Sequence, residues 1–297
     1  MNMLVPQLVA GLSNGSILLL AALGLSLTFG QMGVINNAHG EFMMAGAYTA
    51  YVMSTVFASK TLALGLALVA GFVVAGLLGL LLDVLLLSRM RTRPLDTLLV
   101  TFGVSLVLQQ VARDIFGSTG VYAQAPEALT EPVTLFGYDF PASRLFIFVV
   151  SVVCVAALYA VLKFTPLGRR IRATAENRDL AEVSGISTAT VDHLTFFIGS
   201  GIAGIAGIAG VALSLLNSIS YNFGTSFIVQ AFLVVVAGGV GQLKGAVIAS
   251  FALGLCQSAI ELPTSSSIAQ MSIFLIVVIF LQFHPQGLVA VRSRNLA

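Results

Sequence analysis

Apolar runs as long as a bilayer is thick recur along this chain, and no other feature restricts its fold so severely. They fall at about 4–29, 41–58, 61–87, 97–116, 145–163, 193–216, 227–258 and 267–283. A helix needs about 20 consecutive apolar residues to cross the hydrocarbon core. Within that core a backbone must satisfy its own N–H and C=O groups, which leaves helices or a closed barrel. The strict alternation of barrel strands is absent, so the spans are read as helices. The expected fold is an all-α integral membrane protein, a polytopic bundle of about eight hydrophobic segments, some broken or re-entrant. Only 9% of residues are charged, against roughly 25% in soluble domains. A single domain over 1–297 therefore leaves no room for a soluble catalytic unit.

The first run has no basic residue ahead of it and no small-residue cleavage site behind it, so it reads as a retained span. Cys154 and Cys256 both sit inside apolar runs and behave as small hydrophobes, with no disulfide or metal site expected. The net charge of +2 is too small to imply a nucleic-acid partner. Charge placement says more. Basic residues cluster at Arg89, Arg91 and Arg93, at Lys163, Arg169, Arg170, Arg172 and Arg178, and at Arg292 and Arg294. The positive-inside rule places all three clusters in the cytoplasm. The acidic, proline-containing loop 117–143 and the uncharged N-terminus then lie outside. Three crossings after the second cluster would leave Arg292 on the wrong side. The long run 227–258, interrupted by GGVGQLKG at 238–245, must therefore fold back to the side it came from. Non-helical backbone at that depth needs protein or a water-filled cavity around it.

Against this apolar background, the stretch GQMGVINNAHGEFMMAGAY at 30–48 is anomalous. Gly30, Gly33 and Gly40 would each cost an uninterrupted helix about 1 kcal/mol relative to Ala. One reading makes 30–40 a kink, with Asn37 capping a helix from near Ala38 and Glu41 in its first turn. His39 then faces a neighbouring helix or the interface. The other reading has Asn36, Asn37, His39 and Glu41 line the route of a polar solute, because ionisable groups within membranes mostly face a cavity or a partner. The two readings overlap, since a broken helix exposes its ends. One His and one Glu two residues apart point in different directions on a helix, so no metal site is expected.

A second set of glycines, Gly238, Gly239, Gly241 and Gly245, marks the break in the long run. GQMGVI at 30–35 and GQLKGAVI at 241–248 form a weak internal echo, either a duplicated broken helix of the kind that builds midplane sites or a coincidence. Lys244 is not in a phosphate-loop frame, so nucleotide binding is excluded. The run GSGIAGIAGIAG at 199–210 spaces small residues so that helices can approach closely. The polar segment 165–192 predicts a short helix over roughly 174–184, stopped by Gly185. Leu180 and Val183 share one face, and Glu176, Asp179 and Glu182 lie on others. Its four Arg are matched by acids, which suits docking of a protein better than anchoring to anionic lipid, though a solvated loop is also compatible.

MGVINNAHGEFMMAGAY at 32–48, LGRRIRATAENRDLAEVSGIST at 167–188, AFLVVVAGGVGQLKGAVIASFALG at 231–254 and the ending FHPQGL together resemble the permeases of branched-chain amino-acid-type ABC importers. The MGVIN–AHGE and NRDLAEVSGIST segments are most similar to the urea permease branch, which usually has Met where this chain has Asn37. The resemblance implies a heterodimer with a second, homologous permease, two cytoplasmic ATPases and a periplasmic solute-binding protein, in the bacterial inner membrane. It implies no cofactor in this chain, with ATP used by the partners, and no enzymatic activity. It makes Glu176, Asn177, Arg178, Asp179, Leu180, Val183 and Gly185 the segment seated in an ATPase cleft. The expected solute is urea, with branched-chain amino acids as the alternative, and an ATP-independent channel or secondary transporter as the rival of a different class.

Overall fold

The computed structural model describes residues 4–90, 93–124, 126–135, 138–213 and 218–289. Arg91, Arg292 and Arg294 lie outside the described residues. The apolar runs become helices: α1 (Leu4–Met32), α2 (His39–Val56), α3 (Lys60–Leu85) and α4 (Pro94–Phe116). A short turn, α5 (Glu127–Thr130), and a hairpin of β1 (Pro132–Leu135) and β2 (Tyr138–Pro141) follow. The chain continues with α6 (Ala142–Phe164), α7 (Pro166–Glu176), α8 (Arg178–Val183), α9 (Thr188–Leu213), α10 (Phe223–Gly238), α11 (Leu243–Glu261) and α12 (Ser266–Phe283). Among the described residues, seven helices are long and apolar enough to cross a membrane. The fold is a polytopic helical bundle, as expected. Among the described residues, the two strands form an antiparallel hairpin that pairs Pro132 with Pro141 and Leu135 with Tyr138 in the loop read as external.

Residue chemistry sets the helix ends. Ser59 accepts the Leu62 N–H to cap α3, and Thr165 accepts the Gly168 N–H to cap α7. Pro94 and Pro166 occupy first-turn positions, where no N–H is needed. The buried shares of α1 and α9 are 72% and 78%, against 17% for α12, so the first two form the centre and α12 an edge. The glycine run of α9 makes this centre possible. A methyl added at Gly204 would fall 2.3 Å from the Gly71 carbonyl oxygen of α3, and one at Gly207 would fall 1.9 Å from that of Met43 in α2. In a bilayer, packing of this kind drives helix association, because lipid tails are as apolar as leucine.

One end of the bundle gathers the basic segments. Arg178 of α8 pairs with Asp192 of α9 at 2.7 Å, and Gln31 in the last turn of α1 donates to the same carboxylate at 3.2 Å. Near that end, His193 of α9 pairs with the buried Asp83 of α3 at 2.6 Å. Leu288, beyond α12, donates its N–H to the Ala237 carbonyl of α10 at 2.8 Å. At the opposite end, Ser258 of α11 donates to the Gln7 carbonyl of α1 at 3.0 Å, and Val121 pairs with Ile219. Thus α10 descends to the basic end and α11 returns. The run 227–258 does fold back, but as two helices that each traverse most of the bundle rather than as a shallow dip.

The seven glycines expected at chain breaks divide into two kinds. Gly33, Gly239 and Gly241 take positive φ and make the turns. Gly30, Gly40, Gly238 and Gly245 lie inside helices instead, where backbones touch: Gly30 against Gly241, Gly40 against Gly224, Gly238 against Gly245. The two echoed stretches therefore meet at the basic end. Their conformations differ, for 30–32 closes a helix and 243–248 opens one.

Candidate translocation site

Between α1 and α2 the chain runs without helix from Gly33 to Ala38, and the four polar candidates lie on or just beyond this segment. Asn37 does not cap α2. The capping position is Ala38, without a side-chain bond, and the Ala38 N–H is taken at 3.0 Å by the Asn36 carboxamide oxygen. Asn37 instead donates its backbone N–H to Thr101 of α4 at 3.1 Å. His39 is fully buried, and its Nε2 donates to the Ala21 carbonyl of α1 at 3.0 Å, so it faces a neighbouring helix.

Glu41 sits in the first turn of α2, where the helix dipole favours a carboxylate. Its Oε1 accepts from Ser105 Oγ at 2.9 Å and from Gln109 Nε2 at 2.8 Å, both on α4. Its Oε2 is buried without a partner among the described residues, as are Asn36 Nδ2 and His39 Nδ1. Glu41 also forms part of the wall of a groove of about 380 Å³ between α2, α3 and α4. The rest of that wall is largely apolar, with Met44, Tyr48, Leu78, Leu108 and Ile115. Tyr48 and Phe116 stack at 4.1 Å at one end of it. The groove can hold an aliphatic group, and the buried Oε2 beside it is an acceptor that an ammonium or amide N–H would satisfy if it reached that depth. Among the described residues, no group of three His, Cys, Asp or Glu could hold a metal ion.

The residues of α4 were missed by reading the sequence around 36–41 alone. A signal exists: Thr97, Thr101, Ser105 and Gln109 recur every fourth residue in an otherwise apolar helix, the spacing of one helix face. Three of the four are buried, Thr97 and Thr101 completely.

The predicted single helix over 174–184 is corrected to two. α7 ends at Glu176, and Asn177, in an extended conformation, caps α8 by accepting the Leu180 N–H at 3.0 Å. An asparagine side chain that competes for the backbone breaks the helix there. Gly185 ends the segment at φ +82°. Arg178 is drawn inward to Asp192, and also donates to Thr188 at 3.1 Å. Glu176 and Asp179 are exposed. Leu180 and Val183 are 65% and 87% exposed, which leaves an apolar pair on the surface of the basic end.

The family described as "Branched-chain amino acid transport system / permease component" matches residues 7–282. The high-affinity branched-chain amino acid transport system permease protein LivH of Escherichia coli K12 is 29% identical over 294 residues, covering 95% of this chain and 94% of its own. BraD of Pseudomonas aeruginosa, a permease protein of the same description, is 28% identical over 304 residues with the same coverage. A probable LivH of Methanocaldococcus jannaschii is 28% identical over 257 residues, 82% of this chain and 77% of its own. No solved structure matches the chain.

Proposed function

Since this chain belongs to the permease-component family of branched-chain amino acid transport systems, we propose that it conducts branched-chain amino acids through an ATP-driven importer. Permeases of this kind are not enzymes and carry no cofactor; ATPase subunits supply the energy and a binding protein the solute. The urea expectation finds no support in these relatives, and its alternative fits them better. The observation that carries the proposal is Glu41, a residue in the wall of an apolar groove whose buried carboxylate has one oxygen without a partner among the described residues. A branched-chain amino acid brings an ammonium for that oxygen and a hydrocarbon tail for the groove, whereas urea would leave the groove without use. Asn36, Asn37 and His39 support the chain break that presents Glu41. The exposed Leu180 and Val183 are the face an ATPase grips. A second, homologous permease completes the pathway, in the inner membrane of a bacterium.

The test is uptake by the assembled importer in proteoliposomes, with both permeases, ATPases and binding protein. ATP-dependent accumulation of labelled L-leucine is expected, and none by this chain alone. Accumulation of urea but not leucine would return the solute to urea. ATP-independent accumulation by the single subunit would replace the permease reading with a secondary transporter.

A further inference from the structure

A cleft of about 310 Å³ opens between α1, α10, α11 and α12, toward the end of the bundle opposite the basic segments. Asn14 of α1, Ser226 and Gln230 of α10, Gln257 and Glu261 of α11 and Gln270 of α12 converge on it. Four carboxamides from four helices are unusual in spans of this hydropathy, and polar groups at such depth face a cavity or each other. They do not face each other. Among the described residues, Asn14, Gln230, Gln257 and Gln270 have no hydrogen-bond partner through their side chains. At a rise of 1.5 Å per residue, Gln230 lies about 10 Å along α10 from its outer end, so the cleft is not a surface dimple.

Lipid tails cannot satisfy these groups. A carboxamide offers both a donor and an acceptor, which suits a ligand that also has both. The cleft's one charged lining residue, Glu261, already accepts from Ser266 Oγ and lies within electrostatic reach of Arg144, so it offers no bare carboxylate to a simple cation, and no cationic residue lines the cleft for a simple anion. A second cavity of about 230 Å³ shares Ser226 and Phe227 with the cleft and adds Ser218 and Ser220. Polar lining thus continues to the loop paired at Val121 and Ile219.

We propose that this cleft is the entry site of the pathway, taking a small solute of no net charge that donates and accepts hydrogen bonds, such as an amino-acid zwitterion. It involves none of the residues of the Glu41 site. The proposal rests on the reading of the chain as an importer permease, but not on which solute is imported.

The test uses the full importer in right-side-out vesicles, with this chain carrying Gln230→Cys in a background without Cys154 and Cys256. A membrane-impermeant thiol reagent added outside is expected to react at a rate within an order of magnitude of Ser118→Cys on the external loop. Binding protein loaded with L-leucine should slow the reaction at Gln230→Cys and leave that at Ser118→Cys unchanged. No reaction at Gln230→Cys would mean that lipid or a partner helix fills the cleft, and would overturn the proposal. Reaction unaffected by leucine and by urea would overturn it too. Protection by urea but not leucine would leave the entry site standing and remove the leucine reading. In parallel, Gln230→Leu should lower maximal uptake several-fold and Gln230→Asn should recover most of it; equal uptake in both counts against the site.

Discussion

A carboxylate buried among helices is costly unless its charge is met, and Glu41 meets only half of that demand within its own chain. Ser105 and Gln109 hold one oxygen, and in doing so they tie α4 to the start of α2. Glu41→Gln keeps an acceptor for both donors, while Glu41→Leu leaves them unpaired at a cost of roughly 1–3 kcal/mol. Thermal stability is thus expected to be near wild type for the first and clearly lower for the second. Leucine uptake should fall in both, more for Leu, because the charge that would meet the ammonium is lost in either case. Thermal denaturation and vesicle uptake on both variants check this ordering. Wild-type uptake in Glu41→Leu would reduce the residue to a helix-end feature. The carboxylate and its place in a first turn were readable from the sequence. Its partners were not, because they lie 64 and 68 positions away and only the four-residue period of α4 hints at them.

Among the elements, α8 is a short helix held to the bundle by well-defined polar attachments. Asp192 is completely buried, so opening the Arg178 ion pair takes a partner from a buried charge. Gln31 shares that carboxylate, so α8, α9 and the last turn of α1 are joined at one charge. An ATPase that holds Leu180 and Val183 would therefore hold the two central helices. Leu180→Asp places an unpaired charge in that contact, and truncation at an interface hot spot costs roughly 2 kcal/mol or more. The variant should insert and pair with its partner permease but lose co-purifying ATPases, measured beside Ala189→Asp on the exposed start of α9. Undiminished ATPase binding and uptake would make α8 a solvated loop. Here the sequence showed the segment, its apolar face and its glycine stop. It misled over continuity, since Asn177 within a run of good helix formers reads as helical until its side chain is seen to cap the next turn.

For the whole molecule, the decisive arrangement is which elements share an end. The contacts from Arg178 through Asp192, Gln31, Gly30 and Gly241 to Ala237 and Leu288 put the described parts of the basic segments and the α10–α11 turn together. With those segments cytoplasmic, cysteines replacing Ser118 and Ser187, in a background without Cys154 and Cys256, should label from outside and inside respectively. Labelling of both from one side would break the assignment. Hydropathy made the spans legible, and charge counting required the long run to return. It could not show that the return is made by two helices, because a 16-residue helix such as α10 falls below the length at which apolar runs are counted as crossings.

The close helix contacts also bear on how such a chain can diverge. A relative at 29% identity differs at about seven residues in ten, and the exposed apolar faces of α3, α4 and α12 can absorb such exchange as long as they stay apolar. Where Gly204 meets Gly71 and Gly207 meets Met43 there is no room for even a methyl group. A single-base change there would act as a dominant lesion in the bundle's centre, while dozens of changes at its rim would pass unnoticed. Drift in a lineage of such proteins is therefore channelled by its smallest side chains.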